Sequence, residues 1–414
     1  MDRIGLLDGM RGYFLAFMLL NHLTFTGGLW LVYVNHAELG FVQDAQGFVF
    51  LSGLLVGLVY TGPFLKGNPE TARRRLLLRA AELYAYHVGL LLLIVALAQM
   101  LPFSWSYWGD WLGQLLDDTP AHLASAAVLA FQPTFMDILP QYILYLLVSP
   151  ALIAATVAGR WLEILIGSML LWLGVQLGAH LPVAAQVTAA VQQVVPDFAF
   201  RSGFNPLAWQ IVFVSGLLLG ALTAMRRIDW QRWLAPERTE LLKVSLAVLA
   251  FFLLWRLAFT FGITSAEVYT VFVVFEDRGR FGLVFLLSFA AAAWAVAWLV
   301  VAGPRSPAPA ARLVGGLLRR IFTAPFLVYI GKYSLQVYAF HVLLVYCVVA
   351  FDWWYGPFGA AAKTLLALAA IASLALPAWL QRRVRRLGRR LAAEALEPAP
   401  LRSARPPARR PGQR

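Results

Sequence analysis

The sequence is poor in cysteine and in charged residues. One cysteine, Cys347, occurs in 414 residues, so no intramolecular disulfide can form. Charged side chains make up 13% of the chain, about half the share that is typical of soluble globular proteins. Hydrophobic residues reach 60%. This composition excludes disordered, collagen-like and disulfide-rich secreted proteins, and it indicates a polytopic membrane protein.

The motifs of several enzyme classes are missing as well. There is no phosphate-binding loop, dinucleotide fingerprint or nucleophile elbow, which disfavours an ATPase or a hydrolase. The six histidines never occur at metal-ligand spacing with one another or with the cysteine, so no metal site is predicted. Lys and Arg alternate with apolar runs instead of covering one soluble surface, so the net charge of +13 predicts no nucleic-acid partner.

Ten apolar runs are long enough to cross a bilayer as helices, which takes roughly 20 residues each. The sequence therefore predicts an all-α polytopic membrane fold of about ten transmembrane helices. The predicted spans are 12–34, 41–61, 81–101, 137–158, 161–179, 206–224, 242–262, 281–302, 325–350 and 360–380. The stretch 102–136 between the third and fourth spans favours an interfacial amphipathic helix near residues 105–116.

Lys and Arg cluster after the second, sixth and eighth predicted spans and beyond the tenth, and Arg160 alone follows the fourth. By the positive-inside rule both termini are cytoplasmic, and the even number of spans agrees with this orientation. We expect residues 1–380 to form one membrane domain. Residues 381–414 are predicted to form a basic, Pro/Ala-rich cytoplasmic tail, in which a cationic surface helix is followed by disorder.

Arg11 and His22 are the most informative polar residues in the predicted spans. Their spacing of eleven places them on one helix face, about 16 Å apart along the axis, with Arg11 at the cytoplasmic boundary. A neutral imidazole can accept a proton from a hydroxyl, and a boundary Arg can hold a phosphate or carboxylate. Asp8, one turn before Arg11, can orient it as a salt-bridge partner. A purely structural interpretation has equal weight: Arg11 snorkels to the membrane surface and His22 hydrogen-bonds to another helix.

Polar residues at the ends of other spans are weaker candidates. Asp44 begins the second span, where Ser52 and nearby glycines suit either close helix packing or the lining of a ligand tunnel. Asp137 and Gln141 share a helix face at the outer end of the fourth span. Asp137 can orient an imidazole or bind a sugar there, although an acidic residue at a helix N-terminus is also favoured by the macrodipole.

Two more spans carry polar candidates. Trp209 and Gln210 open the sixth span at its outer mouth and are of types that stack on and hydrogen-bond to sugars, although an interfacial Trp is more often an anchor. Lys332 enters the ninth span near the cytoplasmic face, and His341 lies two and a half turns further in. A second histidine at this depth favours one buried polar site.

Together these motifs resemble a known enzyme family. The Arg11-to-His22 spacing, FVFLSG at 48–53 and GKYSLQVYAFH at 331–341 resemble the membrane acyltransferase-3 superfamily. More closely, LDGMRG at 7–12, FQPTFMDILPQYIL at 131–144 and FNPLAWQ at 204–210 look like the OpgC family. That family comprises succinyltransferases of osmoregulated periplasmic glucans in Gram-negative bacteria. The resemblance covers about residues 1–350. It departs from the superfamily at Tyr333-Ser334, where the order is usually Ser-Tyr.

The resemblance implies an inner-membrane O-acyltransferase in a Gram-negative bacterium. An acyl group, with succinyl expected, passes from cytoplasmic acyl-CoA to a glucan hydroxyl on the periplasmic side. Acyl-CoA is a co-substrate, and no permanently bound cofactor is expected. The expected partners are acyl-CoA, the glucan and membrane lipids, with the glucan-synthesis machinery as a further candidate. The assigned site residues are His22 as general base with Asp137 and His341 (catalytic), Asp8, Arg11, Ser52 and Lys332 (donor-binding), and Asp44, Gln141, Trp209 and Gln210 (acceptor-binding).

Two alternatives stay open at this stage. Within the same class, the enzyme acetylates another surface polysaccharide or lipopolysaccharide. In a different class, the same polar spans serve a transporter or flippase of a glycan or lipid, without chemistry.

Overall fold

The fold is all-α, as predicted. The structure, a computed structural model, describes residues 3–117 and 119–396. Within these ranges it has no β-strand, only an isolated bridge between Phe131 and Arg201. The α-helices are α1 Arg3–His22, α2 Asp44–Leu65, α3 Pro69–Met100, α4 Ser104–Leu112, α5 Thr119–Ala127, α6 Ile138–Val157, α7 Trp161–Gln176, α8 Leu181–Gln192, α9 Pro206–Ala224, α10 Trp230–Trp233, α11 Glu240–Thr260, α12 Ala266–Val273, α13 Leu283–Val301, α14 Pro309–Phe322, α15 Pro325–Lys332, α16 Ser334–Tyr355, α17 Ala360–Ser373 and α18 Ala375–Leu396.

Eight helical segments in the described part of the chain are long and apolar enough to cross a membrane. They are α2, α3, α6, α9, α11, α13, α16 and a segment that combines α17 with the start of α18. The number rises to ten if two bent pairs each form one span: α7 with α8, at 71°, and α14 with α15, at 51°. A multi-pass membrane fold of eight to ten spans agrees with the predicted architecture, whereas the cytoplasmic placement of both termini stays a prediction.

The first helix ends earlier than predicted. The sequence suggested a span over residues 12–34, but α1 ends at His22. The chain then turns through Gly27, whose φ of 76° lies in the left-handed region that favours glycine. A carboxylate oxygen of Asp352 accepts hydrogen bonds from the backbone N–H and the hydroxyl of Thr26, both at 2.7 Å. These bonds fix the turn against α16, and His22 therefore lies at a helix end.

The predicted ninth span, residues 325–350, is two helices in the structure. The break falls at Tyr333, between α15 and α16. α15 packs very closely on α1, since a Cβ added to Gly12 would lie 1.9 Å from the carbonyl oxygen of Leu327. Only glycine permits this approach. The break allows α15 to follow α1 while α16 takes its own direction and carries His341.

Reciprocal glycine pairs hold α2 against α9. Gly53 and Gly57 on α2 face Gly216 and Gly220 on α9, with four-residue spacing on both helices. A Cβ added to any of the four would lie between 2.1 and 2.3 Å from a carbonyl oxygen of the facing helix. In a bilayer, helices associate through such close van der Waals packing. The small residues of the second span therefore serve helix packing, which was one of the two interpretations of the sequence.

This packing predicts that Gly216→Ala destabilises the protein. The added methyl group must push α2 and α9 apart, so the free energy of unfolding should fall by about 1–3 kcal/mol. Gly167→Ala on α7 is the matched control, because a Cβ there meets nothing within 4 Å. Thermal unfolding of both variants in detergent measures the difference, and equal midpoints would contradict the proposed role of the glycine.

The predicted tail begins inside a helix. α18 runs from Ala375 to Leu396 and so crosses the expected boundary at residue 380. Its helical conformation agrees with the predicted cationic surface helix. Residues 397–414, on which the prediction of disorder also falls, lie outside the described residues, and the division into a membrane domain and a tail stays a prediction.

Candidate active site

Two histidines from distant parts of the sequence meet inside the helix bundle. Nδ1 of His22, at the end of α1, lies 3.3 Å from Nε2 of His341 on α16. Their ring centroids are 5.4 Å apart. His341 is fully buried, whereas His22 remains partly accessible. The structure therefore brings together the two histidines that the sequence placed in one polar site.

The contacts of His341 determine which nitrogen of each ring carries a proton. Nδ1 of His341 lies 2.6 Å from the backbone carbonyl oxygen of Tyr338. A carbonyl can only accept, so this Nδ1 is protonated and, in the neutral ring, Nε2 is an acceptor. The facing Nδ1 of His22 must then donate to it. This assignment, made from the hydrogen-bond network, leaves Nε2 of His22 unprotonated and able to accept a proton.

The loop before α6 covers the histidine pair. The Tyr338 hydroxyl donates to the backbone carbonyl of Phe135 at 2.8 Å, and the Tyr346 hydroxyl donates to the preceding carbonyl at 3.1 Å. Phe135 has a φ of 70°, a left-handed conformation that aromatic residues rarely adopt. Its ring stacks on His22 with the centroids 4.1 Å apart. One helix, α16, therefore supplies His341 and also positions the residue that packs on His22.

Asp137 anchors the end of this loop and forms no hydrogen bond with either histidine in the described structure. One carboxylate oxygen accepts hydrogen bonds from the backbone N–H of Gly203 at 2.6 Å and the hydroxyl of Ser202 at 3.1 Å. Burial raises the pKa of Asp137 to about 6, while these two hydrogen bonds act in the opposite direction. One turn further, the side-chain oxygen of Gln141 accepts from Tyr145 at 3.1 Å, and its amide nitrogen is buried without a partner. The catalytic and acceptor-binding roles of Asp137 and Gln141 stay predictions.

Asp44 is held by two asparagines that the sequence analysis did not single out. Its Oδ2 accepts from Asn21 at 2.7 Å and from Asn35 at 3.1 Å, and the residue is 3% exposed. Asn21 directly precedes His22, so this carboxylate fixes the end of α1. The burial of Asp44 fits a supporting role better than the predicted contact with a glucan.

Arg11 lies on α1 without the expected salt bridge. Asp8 is within electrostatic range of Arg11, yet the two form no ion pair within 4.0 Å among the described residues. The predicted Asp8–Arg11 salt bridge is therefore wrong. The guanidinium carbon instead lies 5.4 Å from the ring centroid of Phe48, and Nε is buried without a hydrogen-bond partner. A cation in this state can receive an anionic ligand.

The other two predicted donor-binding residues differ in accessibility. The Ser52 hydroxyl donates to the carbonyl of Phe48 at 2.8 Å within α2, and Ser52 is 2% exposed. Lys332 is exposed at the end of α15 and lies within electrostatic range of Asp8. Lys332 can therefore reach an anion, while Ser52 is enclosed by helix packing.

The predicted sugar contacts of Trp209 and Gln210 are not supported. Trp209 is fully buried, and its indole N–H donates to the backbone carbonyl of Arg278 at 3.1 Å. Gln210 bonds Ser168 on α7 twice, accepting from its hydroxyl at 2.7 Å and donating to its carbonyl at 2.8 Å. Both side chains point between packed elements instead of facing an outer mouth, so they position the structure around the site.

Arg278, in the loop between α12 and α13, was not among the predicted site residues. The residue is exposed, and its guanidinium carbon lies 5.1 Å from the ring centroid of Phe204. Phe204 follows Gly203, whose backbone N–H bonds Asp137. The only signal in the sequence was the density of charge from Glu276 to Arg280. Nothing in that pattern indicated that one of these side chains lies beside the segment that holds Asp137.

Comparison with known proteins identifies a family for this chain. A family model described as "OpgC protein" matches residues 3–386, nearly the whole chain. No curated protein and no solved structure matches the chain.

Proposed function

The chain belongs to the OpgC family, and we propose that it moves a succinyl group from cytoplasmic acyl-CoA to hydroxyls of osmoregulated periplasmic glucans. Family membership indicates a membrane acyltransferase of the glucan succinyltransferase type. The identity of the acyl donor, the identity of the acceptor and the roles of individual residues are what we propose beyond family membership. The observation that carries it is the contact between a partly accessible His22 and His341, from which an unprotonated Nε2 on His22 follows.

The proposed reaction is a direct transfer. A glucan hydroxyl donates a hydrogen bond to Nε2 of His22, and its oxygen attacks the thioester carbonyl carbon while the proton moves to the imidazole. The new C–O ester bond forms, the C–S bond breaks, and the thiolate of CoA leaves. The imidazolium of His22 then gives its proton to the sulfur, which yields the glucan ester and free CoA. The hydrogen bond to His341 holds the ring in the required tautomer throughout.

Arg11 supplies the proposed donor-binding end. It lies about 16 Å from His22 along α1, and its unpaired guanidinium suits a CoA phosphate. The extended pantetheine arm would connect the two. This arrangement assumes a cytoplasmic N-terminus in a Gram-negative inner membrane. The spacing between Arg11 and His22 supports placement in the acyltransferase-3 superfamily.

Replacement of Arg11 by Ala should weaken the binding of acyl-CoA. Arg11→Ala should raise the KM for acyl-CoA about 100-fold, because two charge-assisted hydrogen bonds to a phosphate are lost. Arg11→Lys should be intermediate, since an ammonium keeps the charge without the bidentate geometry. Arg73→Ala is the control, because Arg73 is exposed and pairs with Glu70 on α3. Kinetics with normal amounts of each variant in the membrane test this, and an unchanged KM in Arg11→Ala would refute the donor role.

The proposed function can be tested on glucans from cells with and without the gene. Mass spectrometry identifies the acyl group, and anion-exchange chromatography separates charged from neutral glucan. We expect the deletion strain to lack an anionic succinyl substituent that the wild-type gene restores. A neutral acetyl difference would replace the proposed donor. Unaltered glucan would exclude this acceptor, and unmodified but mislocalised glycan would support a transporter.

A further inference from the structure

The loop that carries Arg278 is held rigidly by its own backbone. Four consecutive carbonyls, from Arg278 to Phe281, accept hydrogen bonds from α7, α9 and the residue before α9. The donors are the indole N–H of Trp209 (3.1 Å), the backbone N–H of Asn205 (2.8 Å), the side-chain amide of Gln176 (2.7 Å) and the indole N–H of Trp172 (2.9 Å). Two of these donors are buried Trp side chains, one on α7 and one on α9, and both hold the short external loop. The direction in which Arg278 leaves the backbone is therefore built into the fold.

The guanidinium of Arg278 has no hydrogen-bond or ion-pair partner among the described residues. Its Cζ lies 5.1 Å from the ring centroid of Phe204. Phe204 follows Gly203, whose N–H bonds Asp137, and Asp137 is two residues after the Phe135 that stacks on His22. Its neighbour Arg280 differs, because its Nε bonds the carboxylate of Asp277 at 2.6 Å. The two acidic residues within electrostatic range of Arg278, Asp44 and Asp137, already accept hydrogen bonds from asparagines or from the segment before α9. All the donors of Arg278 therefore remain available to a ligand.

Resting on the proposed function, we propose that Arg278 binds the distal carboxylate of a dicarboxylic acyl group and selects succinyl over neutral acyl donors. In the proposed function the CoA phosphates bind Arg11, which lies about 16 Å from His22 along α1. An unmodified glucan carries no charge. The anion that must lie beside His22 during transfer is then the far end of the acyl chain, and a guanidinium binds a carboxylate through two parallel hydrogen bonds.

The same arginine also affects the chemical step. When His22 accepts the proton of the glucan hydroxyl, its imidazolium forms within electrostatic range of Arg278. Two cations repel each other, so this state is disfavoured while Arg278 has no counter-ion. A succinyl carboxylate on Arg278 compensates the charge and favours proton transfer. A neutral acyl chain leaves the repulsion in place, so selection acts on kcat as well as on KM.

A comparison of two thioesters tests this subsite. Succinyl-CoA and butyryl-CoA have acyl chains of the same length, and they differ in a carboxylate against a methyl group. Using the full-length protein in detergent with purified glucan, we expect the wild type to prefer succinyl-CoA. Arg278→Gln should lose about 100-fold in kcat/KM with succinyl-CoA and should retain or gain activity with butyryl-CoA. Arg278→Lys should be intermediate, and Arg160→Gln, at an exposed pair with Glu163, should behave as wild type.

The outcomes separate this inference from the proposed function. Equal losses with both thioesters in Arg278→Gln would overturn the subsite and point to an anionic group on the acceptor or to a structural role. Wild-type activity of Arg278→Gln with both thioesters would overturn it as well. In both cases acyl transfer by the wild type would leave the proposed function intact. A wild type that transfers neither group to glucan would overturn the proposed function itself.

Discussion

Replacement of His22 by Ala is expected to abolish measurable acyl transfer. The variant loses the only group in the proposed site that accepts the hydroxyl proton, and general-base catalysis contributes about 100- to 10 000-fold. Binding of acyl-CoA should change little, because Arg11 stays in place. Initial rates with the purified full-length protein, acyl-CoA and glucan measure the loss of transfer, and equilibrium binding of acyl-CoA measures the donor affinity.

His180→Ala is the matched control for this experiment. His180 directly precedes α8, and it takes part in none of the site contacts described above. It should retain wild-type activity and show that the removal of an imidazole is not harmful in itself. A His22→Ala protein that inserts normally and still transfers the acyl group would contradict the mechanism.

Loss of the second histidine should have the next largest effect. His341→Phe keeps the size of the ring but removes the acceptor that fixes the tautomer of His22. By analogy with other catalytic histidines held in the wrong tautomer, kcat should fall by about 100- to 10 000-fold. The KM values should stay near those of the wild type, because His341 positions His22 and does not touch substrate in the proposed reaction. Steady-state kinetics separate the two parameters.

A conservative substitution distinguishes this positioning role from a role in folding. The side-chain oxygen of His341→Gln can still accept from Nδ1 of His22, so part of kcat should return. If His341→Gln and His341→Phe lose activity equally while both unfold at the wild-type temperature, His341 does not act by fixing the tautomer of His22.

The sequence was most informative where hydrophobicity alone decides the structure. The helices at 206–224 and 138–157 lie at or within a residue of their predicted spans, because a long apolar run has few alternatives in a bilayer. The ends of α1 and α15 were not predictable in this way. They depend on a left-handed Gly27, on the bonds of Asp352 to Thr26, and on glycine contacts between helices that are distant in sequence.

The candidate site shows the same division. Arg11, His22 and His341 were found because ionisable residues inside spans are costly and rarely incidental. The direction of a side chain at a helix end was not visible in the sequence. Trp209 therefore suggested a sugar contact, yet it is buried and donates to the carbonyl of Arg278, a residue that was not predicted to belong to the site.

The most direct test of the account is transfer of isotopically labelled succinate by the purified full-length protein. The protein would be incubated with labelled succinyl-CoA and neutral glucan, and the glucan would be separated by charge. The proposed mechanism predicts labelled, anionic glucan esters together with an equal amount of released CoA thiol, and neither product with His22→Ala. Glucan that stays neutral and unlabelled while the wild-type protein is folded would contradict it.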